Sequence, residues 1–296
     1  MLLENERYNR ALKAAAKLKV VSPGSSNLAQ TLLEEQYVTQ LALSELGMNV
    51  EELLCNLPSI NTLLIPNKEP PKKRLDLPLL IEVAGTPKSG KTTLITYAQK
   101  SFDIFPISER AAFVKRRTQQ KLGKHWTYQA MEETKHLITV ATSLMLSKLE
   151  KGHRAVVADR DMVDNLIFGR AYFVDGRLIP STFSSNYHGD ERIYSEPVGG
   201  LEEVSTRPNH LYALILCLTT PKISLKREGF RFRPGRVMNK NFLGTLYEQY
   251  LRFHYQALKL NRNFPYACLD LSGKNLQENK KLFDSMISGI LDYYKK

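Results

Sequence analysis

The clearest chemical signal in the sequence is a short loop pattern that combines glycines, a lysine and a hydroxyl residue at fixed spacing. It matches GxxxxGK[ST] at every fixed position and reads Gly85, Thr86, Pro87, Lys88, Ser89, Gly90, Lys91, Thr92, with Thr93 next in the chain. Glycines let the backbone curl so that several N–H groups point at phosphate oxygens. A lysine at the seventh position suits the β- and γ-phosphates, and the threonine hydroxyl suits Mg²⁺. The sequence therefore predicts a Walker A phosphate loop that binds ATP or GTP.

The neighbouring residues strengthen this prediction. Residues 79–84 (LLIEVA) form a continuous apolar run that is typical of a buried strand, and a helical segment follows from Lys91. The N-terminus of such a helix adds a positive dipole end to an anion site. A strand before the loop and a helix after it distinguish a phosphate loop from a chance match.

A second candidate lies at the end of another apolar strand. Residues 154–158 (RAVVA) lead directly into Asp159 and Arg160. Ligands of open α/β sheets bind beyond the carboxyl ends of the strands, so we expect Asp159 to face the loop and to hold Mg²⁺ together with Thr92. Asp159 can also cap the helix that starts near Asp161, and the two roles are compatible. For Arg160 the alternative to a role in catalysis is a structural ion pair.

A basic segment follows the most apolar strand, at 211–218. Residues 222–236 read KISLKREGFRFRPGR, with glycine and proline permitting a loop. Arginines folded over a nucleotide can neutralise charge that develops on a transferred phosphoryl group. The segment is therefore a candidate lid, whose proposed catalytic members are Arg227, Arg231 and Arg233. A solvated basic face is the alternative.

Apolar strands alternate with helical segments along most of the chain. Strands are predicted at 79–84, 103–107, 154–158, 211–218 and 266–271, and helices from 91 and at 127–150, 161–173, 240–261 and 274–294. This pattern predicts an α/β three-layer sandwich with a central parallel sheet of about five strands. A Pro- and Lys-rich linker at 66–76 separates the predicted domain, 77–296, from a helical accessory segment at 1–65, whose helices are predicted at 4–18 and 27–55.

Composition narrows the classes of protein. The 296 residues carry a formal charge of +12, and a basic surface attracts phosphates of many kinds. Nucleic acid is a possible partner but is not favoured, because the bases do not form one long tail. The sequence lacks an apolar run long enough for a membrane helix and lacks a signal-peptide pattern, so we predict a cytoplasmic protein without a membrane partner. The accessory segment 1–65 could dock a second copy of the chain.

These motifs resemble those of P-loop kinases of the thymidylate kinase and deoxynucleoside kinase type, over about residues 77–294. The resemblance rests on GTPKSGKTT at 85–93, ADR at 158–160 and LYALILCLTTPKISLKR at 211–227. It implies the P-loop NTPase fold and Mg²⁺-dependent transfer of a phosphoryl group from ATP to a small acceptor such as a nucleoside or nucleotide.

The resemblance also implies roles for particular residues. Lys88 is similar to an arginine that some thymidylate kinases hold against the transferred phosphate. Glu109 is similar to the glutamate that accepts the proton of the substrate hydroxyl in deoxynucleoside kinases. Asp159 and Arg160 match the acid–arginine pair beside the phosphates. The chain departs from the pattern at Arg110, where proline is usual, and at Asp161, where serine or tyrosine is usual.

Two other functions remain open from the sequence. The net charge of +12 is compatible with a polynucleotide kinase or another nucleic-acid-linked NTPase. The extra N-terminal helices are compatible with a regulatory protein in which nucleotide binding acts as a switch. A small-molecule kinase is the favoured hypothesis, because the loop, the acid–arginine pair and the candidate lid occur in the expected order.

Overall fold

A computed structural model describes a defined part of the chain. It covers residues 60–67, 69, 76–107, 153–161, 163–164, 167–168, 171, 210–228, 240–259 and 263–296. The predicted helices at 4–18, 27–55 and 127–150, the stretch 175–209, and the candidate residues Glu109, Arg231 and Arg233 lie outside the described residues. Everything below concerns the described residues.

These residues form a six-stranded sheet in the order β1-β6-β5-β2-β4-β3. The strands are β1 Thr62–Leu64, β2 Leu79–Gly85, β3 Ile104–Ile107, β4 Ala155–Asp159, β5 Leu211–Leu218 and β6 Tyr266–Asp270. Strands β2 to β6 are parallel to their neighbours, whereas β1 is antiparallel to β6. The predicted α/β architecture with a mostly parallel sheet is confirmed, and the five predicted strands each lie within a residue or two of their predicted bounds.

The sixth strand, β1, was not predicted from the sequence. Residues 62–64 fall in the range predicted to be a helical accessory segment, yet they pair with β6 from Thr62↔Cys268 to Leu64↔Tyr266. Asn61 fixes the start of this pairing: its N–H donates to the Cys268 carbonyl at 2.7 Å, and its Oδ1 accepts from the N–H of Asp270 at 2.9 Å. Three residues are too few for a periodic signal, and the strand exists because the open edge of β6 offers unpaired backbone groups.

Four helices have described bounds: α1 Lys91–Ser101, α2 Pro221–Arg227, α3 Lys240–Lys259 and α4 Leu276–Tyr293. Local chemistry explains where two of them begin. Thr220 caps α2 by accepting from the N–H of Ile223, and Pro221 takes the first position, where no N–H is needed. Asn275 and Glu278 form a reciprocal capping box at the start of α4.

Helices cover both faces of the sheet. On one face, α1 and α4 contribute Leu94, Ile95, Phe283 and Ile287 to a core that also contains Leu79, Ile81 and Val83 of β2. On the other face, α3 packs through contacts such as the 2.8 Å hydrogen bond between His254 Nδ1 and the Tyr266 hydroxyl. Strands β2, β4, β5 and β6 are buried along their whole length, as expected for a parallel sheet between two helical layers. Within the described ranges, no helix is long and apolar enough to cross a membrane.

Strand β2 carries a charged side chain into the face that α3 covers. Glu82 is fully buried, and its two oxygens accept from the N–H of Val163 and from the hydroxyl of Tyr212, each at 2.7 Å. Burial, followed by the nearby charge of Asp161, raises the pKa of Glu82 well above its usual value. The folded protein therefore holds a proton at Glu82 more tightly than the unfolded chain does.

This difference predicts a pH dependence of stability. Because the folded pKa is raised, the contribution of Glu82 is fully present below its unfolded pKa and is lost as the pH rises through the folded pKa. Glu82→Gln keeps the shape without the ionisation, so the free energy of unfolding of the wild type should fall relative to this variant with rising pH, by up to about 1.4 kcal/mol per pH unit. Denaturant unfolding of both proteins from pH 5 upward measures the effect, and parallel curves would contradict it.

Candidate nucleotide-binding site

The phosphate loop begins where β2 ends. Gly85 and Gly90 have φ values of 142° and 101°, and Lys88 between them has a φ of 59°. A Cβ atom on Gly85 would lie 1.9 Å from the carbonyl oxygen of Cys217 on β5. No side chain fits in that space, so the first glycine of the motif is required both by backbone conformation and by the neighbouring strand.

Strand β5 and helix α2 hold the next four residues of the loop. The Thr86 N–H donates to the Cys217 carbonyl at 3.1 Å, and Thr86 Oγ1 accepts from the N–H of Thr219 at 2.9 Å. The Ser224 hydroxyl donates to the Pro87 carbonyl at 2.8 Å. The carbonyls of Lys88 and Ser89 are held in the same way, by the guanidinium of Arg227. The loop is thus fixed residue by residue from one side.

The contacts of Arg227 differ from those expected of a lid residue. It lies in the last turn of α2, and its guanidinium donates to three backbone carbonyls: Lys88 and Ser89 at 3.1 Å and Leu271 at 2.7 Å. Arg227 was predicted to be one of the lid arginines, and the sequence did not indicate this structural role because the spacing of residues does not reveal carbonyl partners. The neighbouring Glu228 forms an ion pair with Lys88 at 2.5 Å.

Lys91 lies inside the curl of the loop. Its side chain is 5% exposed, and its Nζ donates to the carbonyls of Gly85 and Thr86 at 2.9 Å and to the Ser89 hydroxyl at 3.2 Å. Burial, with a further contribution from Arg160, lowers the pKa of Lys91 to about 8. The amine is therefore a buried group surrounded by neutral oxygen atoms. A phosphate bound in the loop would supply the negative charge that balances the Lys91 ammonium.

The end of β4 meets the beginning of α1. Asp159 pairs in register with Val83 on the adjacent strand, and its Oδ2 accepts a hydrogen bond from Thr92 Oγ1. The structure therefore brings together the two predicted Mg²⁺ ligands. Their predicted role in metal binding stays a prediction.

The chemistry of these two groups fits Mg²⁺. The ion prefers oxygen ligands, takes few of them from the protein, and completes its shell with water and substrate phosphates. One hydroxyl and one carboxylate at the mouth of a phosphate loop satisfy that preference. Within the described part of the chain, no cluster of three or more His, Cys, Asp or Glu residues could hold a metal without such help.

Arg160 follows Asp159 and turns away from the strand with a φ of 67°. Its N–H donates to the Val83 carbonyl at 3.1 Å, its guanidinium lies 5.0 Å from the centre of the Phe168 ring, and its NH1 lies 3.6 Å from Asp164 Oδ2. The ion pair that the sequence left open as an alternative is present, and it does not exclude contact with a phosphate.

Asp164 was not among the residues predicted from the sequence. This residue is 2% exposed, its Oδ1 accepts from the N–H of Gly85 at 2.7 Å, and the Tyr250 hydroxyl donates to the same oxygen. No motif marks Asp164, and its place among other polar residues of the predicted helix at 161–173 gives no signal of its own. Together with Asp159, it joins the segment after β4 to both ends of the phosphate loop.

A parallel sheet, a phosphate loop between β2 and α1, and an acid at the end of the adjacent strand β4 define a P-loop nucleotide-binding fold. No protein-family model matches the sequence, and no curated protein matches it. The chain is similar to the thymidylate kinase of Candida albicans, with a TM-score of 0.50 and 13% identity over 74% of this chain and 93% of that one. It is also similar to a deoxyadenosine kinase from M. mycoides, solved with dCMP and dCDP. The TM-score is 0.49 and the sequence identity 16%, over 71% of this chain and 100% of that one. The first likeness shows a shared fold.

The close approach at Gly85 makes a sharp prediction. Gly85→Ala should destabilise the protein by at least about 3 kcal/mol, because the methyl group collides with a backbone oxygen that cannot move without displacing β5. Binding of MgATP should be lost with it. Thermal unfolding and calorimetric titration measure the two effects.

Gly289→Ala on α4 is the matched control. The added Cβ would meet only the end of the Leu63 side chain, which can rotate away, so stability and MgATP binding should stay near those of the wild type. A Gly85→Ala protein as stable as this control would contradict the steric argument.

Proposed function

We propose that this protein is a P-loop kinase that transfers the γ-phosphoryl group of ATP or GTP to a small acceptor of the nucleoside or nucleotide class. The observation that supports this most is the grouping of Lys91, Thr92, Asp159 and Arg160 around one loop, at the carboxyl ends of adjacent parallel strands. The likeness of the fold to that of a thymidylate kinase agrees with the proposal but says nothing of the substrate.

Binding of the donor uses groups that the loop already contains. Lys91 would exchange its bonds to the loop oxygens for the β- and γ-phosphates, whose charge offsets the cost of burying the amine. Thr92 and Asp159 would hold Mg²⁺, which supplies charge neutralisation to the phosphates when it is bound. Residues 88–92 would present backbone N–H groups to the β-phosphate.

Transfer itself depends on positioning and on charge. Arg160 lies beside the loop and would stabilise the phosphoryl group or hold an anionic acceptor. Lys88, at the tip of the loop, would do the same once it leaves Glu228, an exchange that costs little because the ion pair is partly exposed. Roles for Arg231 and Arg233 as lid residues, and for Glu109 as the base that activates an acceptor hydroxyl, remain part of the proposal.

Replacement of Lys91 tests the loop. Lys91→Ala, and Lys91→Met as the variant that better conserves volume, should lower the rate of nucleotide turnover at least about a hundredfold, because the charge on the β- and γ-phosphates is removed. Lys100→Ala, on the exposed side of the same helix, is the control and should be as active as the wild type. Turnover by either Lys91 variant at the wild-type rate would reject the loop as a catalytic site.

A screen of acceptors tests the function. Purified protein, Mg²⁺ and γ-labelled ATP or GTP are incubated in parallel with nucleosides, nucleoside monophosphates and short RNA, and the labelled products are separated. We expect label in a nucleoside or nucleotide product. Label in RNA would make the protein a polynucleotide kinase, and nucleotide binding without transfer to any acceptor would favour a switch or an NTPase. Either result would replace the proposal.

A further inference from the structure

Asp164 presents a physical problem. It is a buried carboxylate that touches the first residue of a loop whose proposed ligand is a polyanion. A negative charge there repels phosphate, and burial of a carboxylate is costly unless its oxygens are well paired. The position of this acid therefore calls for an explanation. Its contacts with Gly85, Arg160 and Tyr250 provide one.

The first contact fixes the entrance of the loop. Asp164 Oδ1 accepts from the N–H of Gly85 at 2.7 Å, while the space on the other side of Gly85 is closed by the Cys217 carbonyl. Because Gly85 has no side chain to restrain it, the bond to Asp164 helps to set the plane of the peptide at which the chain leaves β2. A charged acceptor makes a stronger bond to an N–H than a neutral one does.

The second contact concerns Arg160. Its NH1 lies 3.6 Å from Asp164 Oδ2, a distance at which the attraction is electrostatic and no direct hydrogen bond forms. The guanidinium also lies over the Phe168 ring, so a ring and a charge hold it from two directions. The ion pair and the ring together restrict the position of the Arg160 guanidinium.

The third contact joins helix α3. The hydroxyl of Tyr250 donates to the same Oδ1 that accepts from Gly85, and the Tyr250 ring meets the Phe168 ring edge to face at 6.4 Å. This bond completes the pairing of Oδ1. It does not reach the loop or Arg160 directly, so Tyr250 can be changed without touching either of them.

We propose that Asp164 is a positioning residue for phosphoryl transfer with two separable roles. Oδ1 orients Gly85 at the entrance of the donor phosphate loop, and the charge on Oδ2 holds Arg160 beside the transferred group. The second role rests on the function proposed above, whereas the first needs only that the loop binds a nucleotide.

Two substitutions separate the roles. Asp164→Asn keeps a carbonyl oxygen for Gly85 and Tyr250, but it turns an N–H group toward Arg160 and removes the charge. Asp164→Ala removes both roles. Asp164→Asn should leave the Kd for MgATP within about threefold of the wild type and lower kcat at least about tenfold, whereas Asp164→Ala should also raise that Kd at least about tenfold.

Tyr250→Phe is the matched control on the same carboxylate. It removes one donor to Oδ1 and leaves Gly85 and Arg160 in contact with Asp164, so both Kd and kcat should stay within about threefold of the wild type. Calorimetric titration with MgATP gives Kd, and transfer to the best acceptor of the screen gives kcat, each per folded molecule.

A double substitution distinguishes positioning from general stability. If the charge of Asp164 acts through Arg160, Asp164→Asn should cause no further loss of kcat in an Arg160→Met background. A purely structural Asp164 would lower the melting temperature of both variants with Kd and kcat unchanged. That result would overturn the proposal, as would multiplying losses in the double variant, or a Tyr250→Phe protein as impaired as Asp164→Ala.

Failure of this proposal can be distinguished from failure of the proposed function. MgATP binding is measured without an acceptor, so a weakened Asp164→Ala complex in a protein that transfers to nothing would support the first role while rejecting the kinase and the second role. Equal Kd values for Asp164→Ala and the wild type would overturn the first role whatever the transfer assay shows. Should Asp164→Ala not fold, Asp164→Ser replaces it, because its shorter side chain does not reach the N–H of Gly85 and keeps a polar group.

Discussion

The close approach of Gly85 to the carbonyl of Cys217 is the constraint on which the rest of the site depends. Strands β2 and β5 run parallel up to this pair of residues, and the Thr86 N–H continues the pattern by donating to the Cys217 carbonyl. The chain can turn into the loop immediately afterwards because Gly85 occupies no space on the side of β5. A longer side chain at that position would force the strands apart and carry the loop away from α2.

The charges beneath the loop follow from that geometry. Four acids, Glu82, Asp159, Asp161 and Asp164, are buried near two bases, Lys91 and Arg160. Burial raises the pKa of Glu82, which favours its neutral form, and hydrogen-bond donors engage the carboxylates of Asp159 and Asp164. Asp159 and Asp164 thus hold groups of the candidate site in place: Asp159 holds Thr92, and Asp164 holds Gly85 and Arg160.

The sequence predicted the elements that repeat and missed those that depend on contact. Apolar runs predict the five parallel strands, and fixed glycine spacing predicts the loop. No such pattern predicts strand β1, because its three residues acquire their conformation from the edge of β6. Asp159 was found because it ends a strand, whereas Asp164 and the backbone role of Arg227 depend on distances across more than 70 residues of chain, which no local pattern encodes.

The loop is supported by helix α2 on one side and by the end of β4 and the segment after it on the other, and the two supports have different consequences. Helix α2 holds its tip through carbonyls, by way of Ser224 and Arg227, and Arg227 extends that support to Leu271 after β6. The end of β4 and the segment after it hold the two ends of the loop, at Thr92 and Gly85, and that segment carries Arg160. A disturbance on the α2 side therefore reaches the shape of the loop, and so the binding of a nucleotide. If the protein is the kinase proposed above, a disturbance on the β4 side would also reach the charged groups beside the transferred phosphate, and the chemical step would be sensitive to that side in a way that binding alone is not.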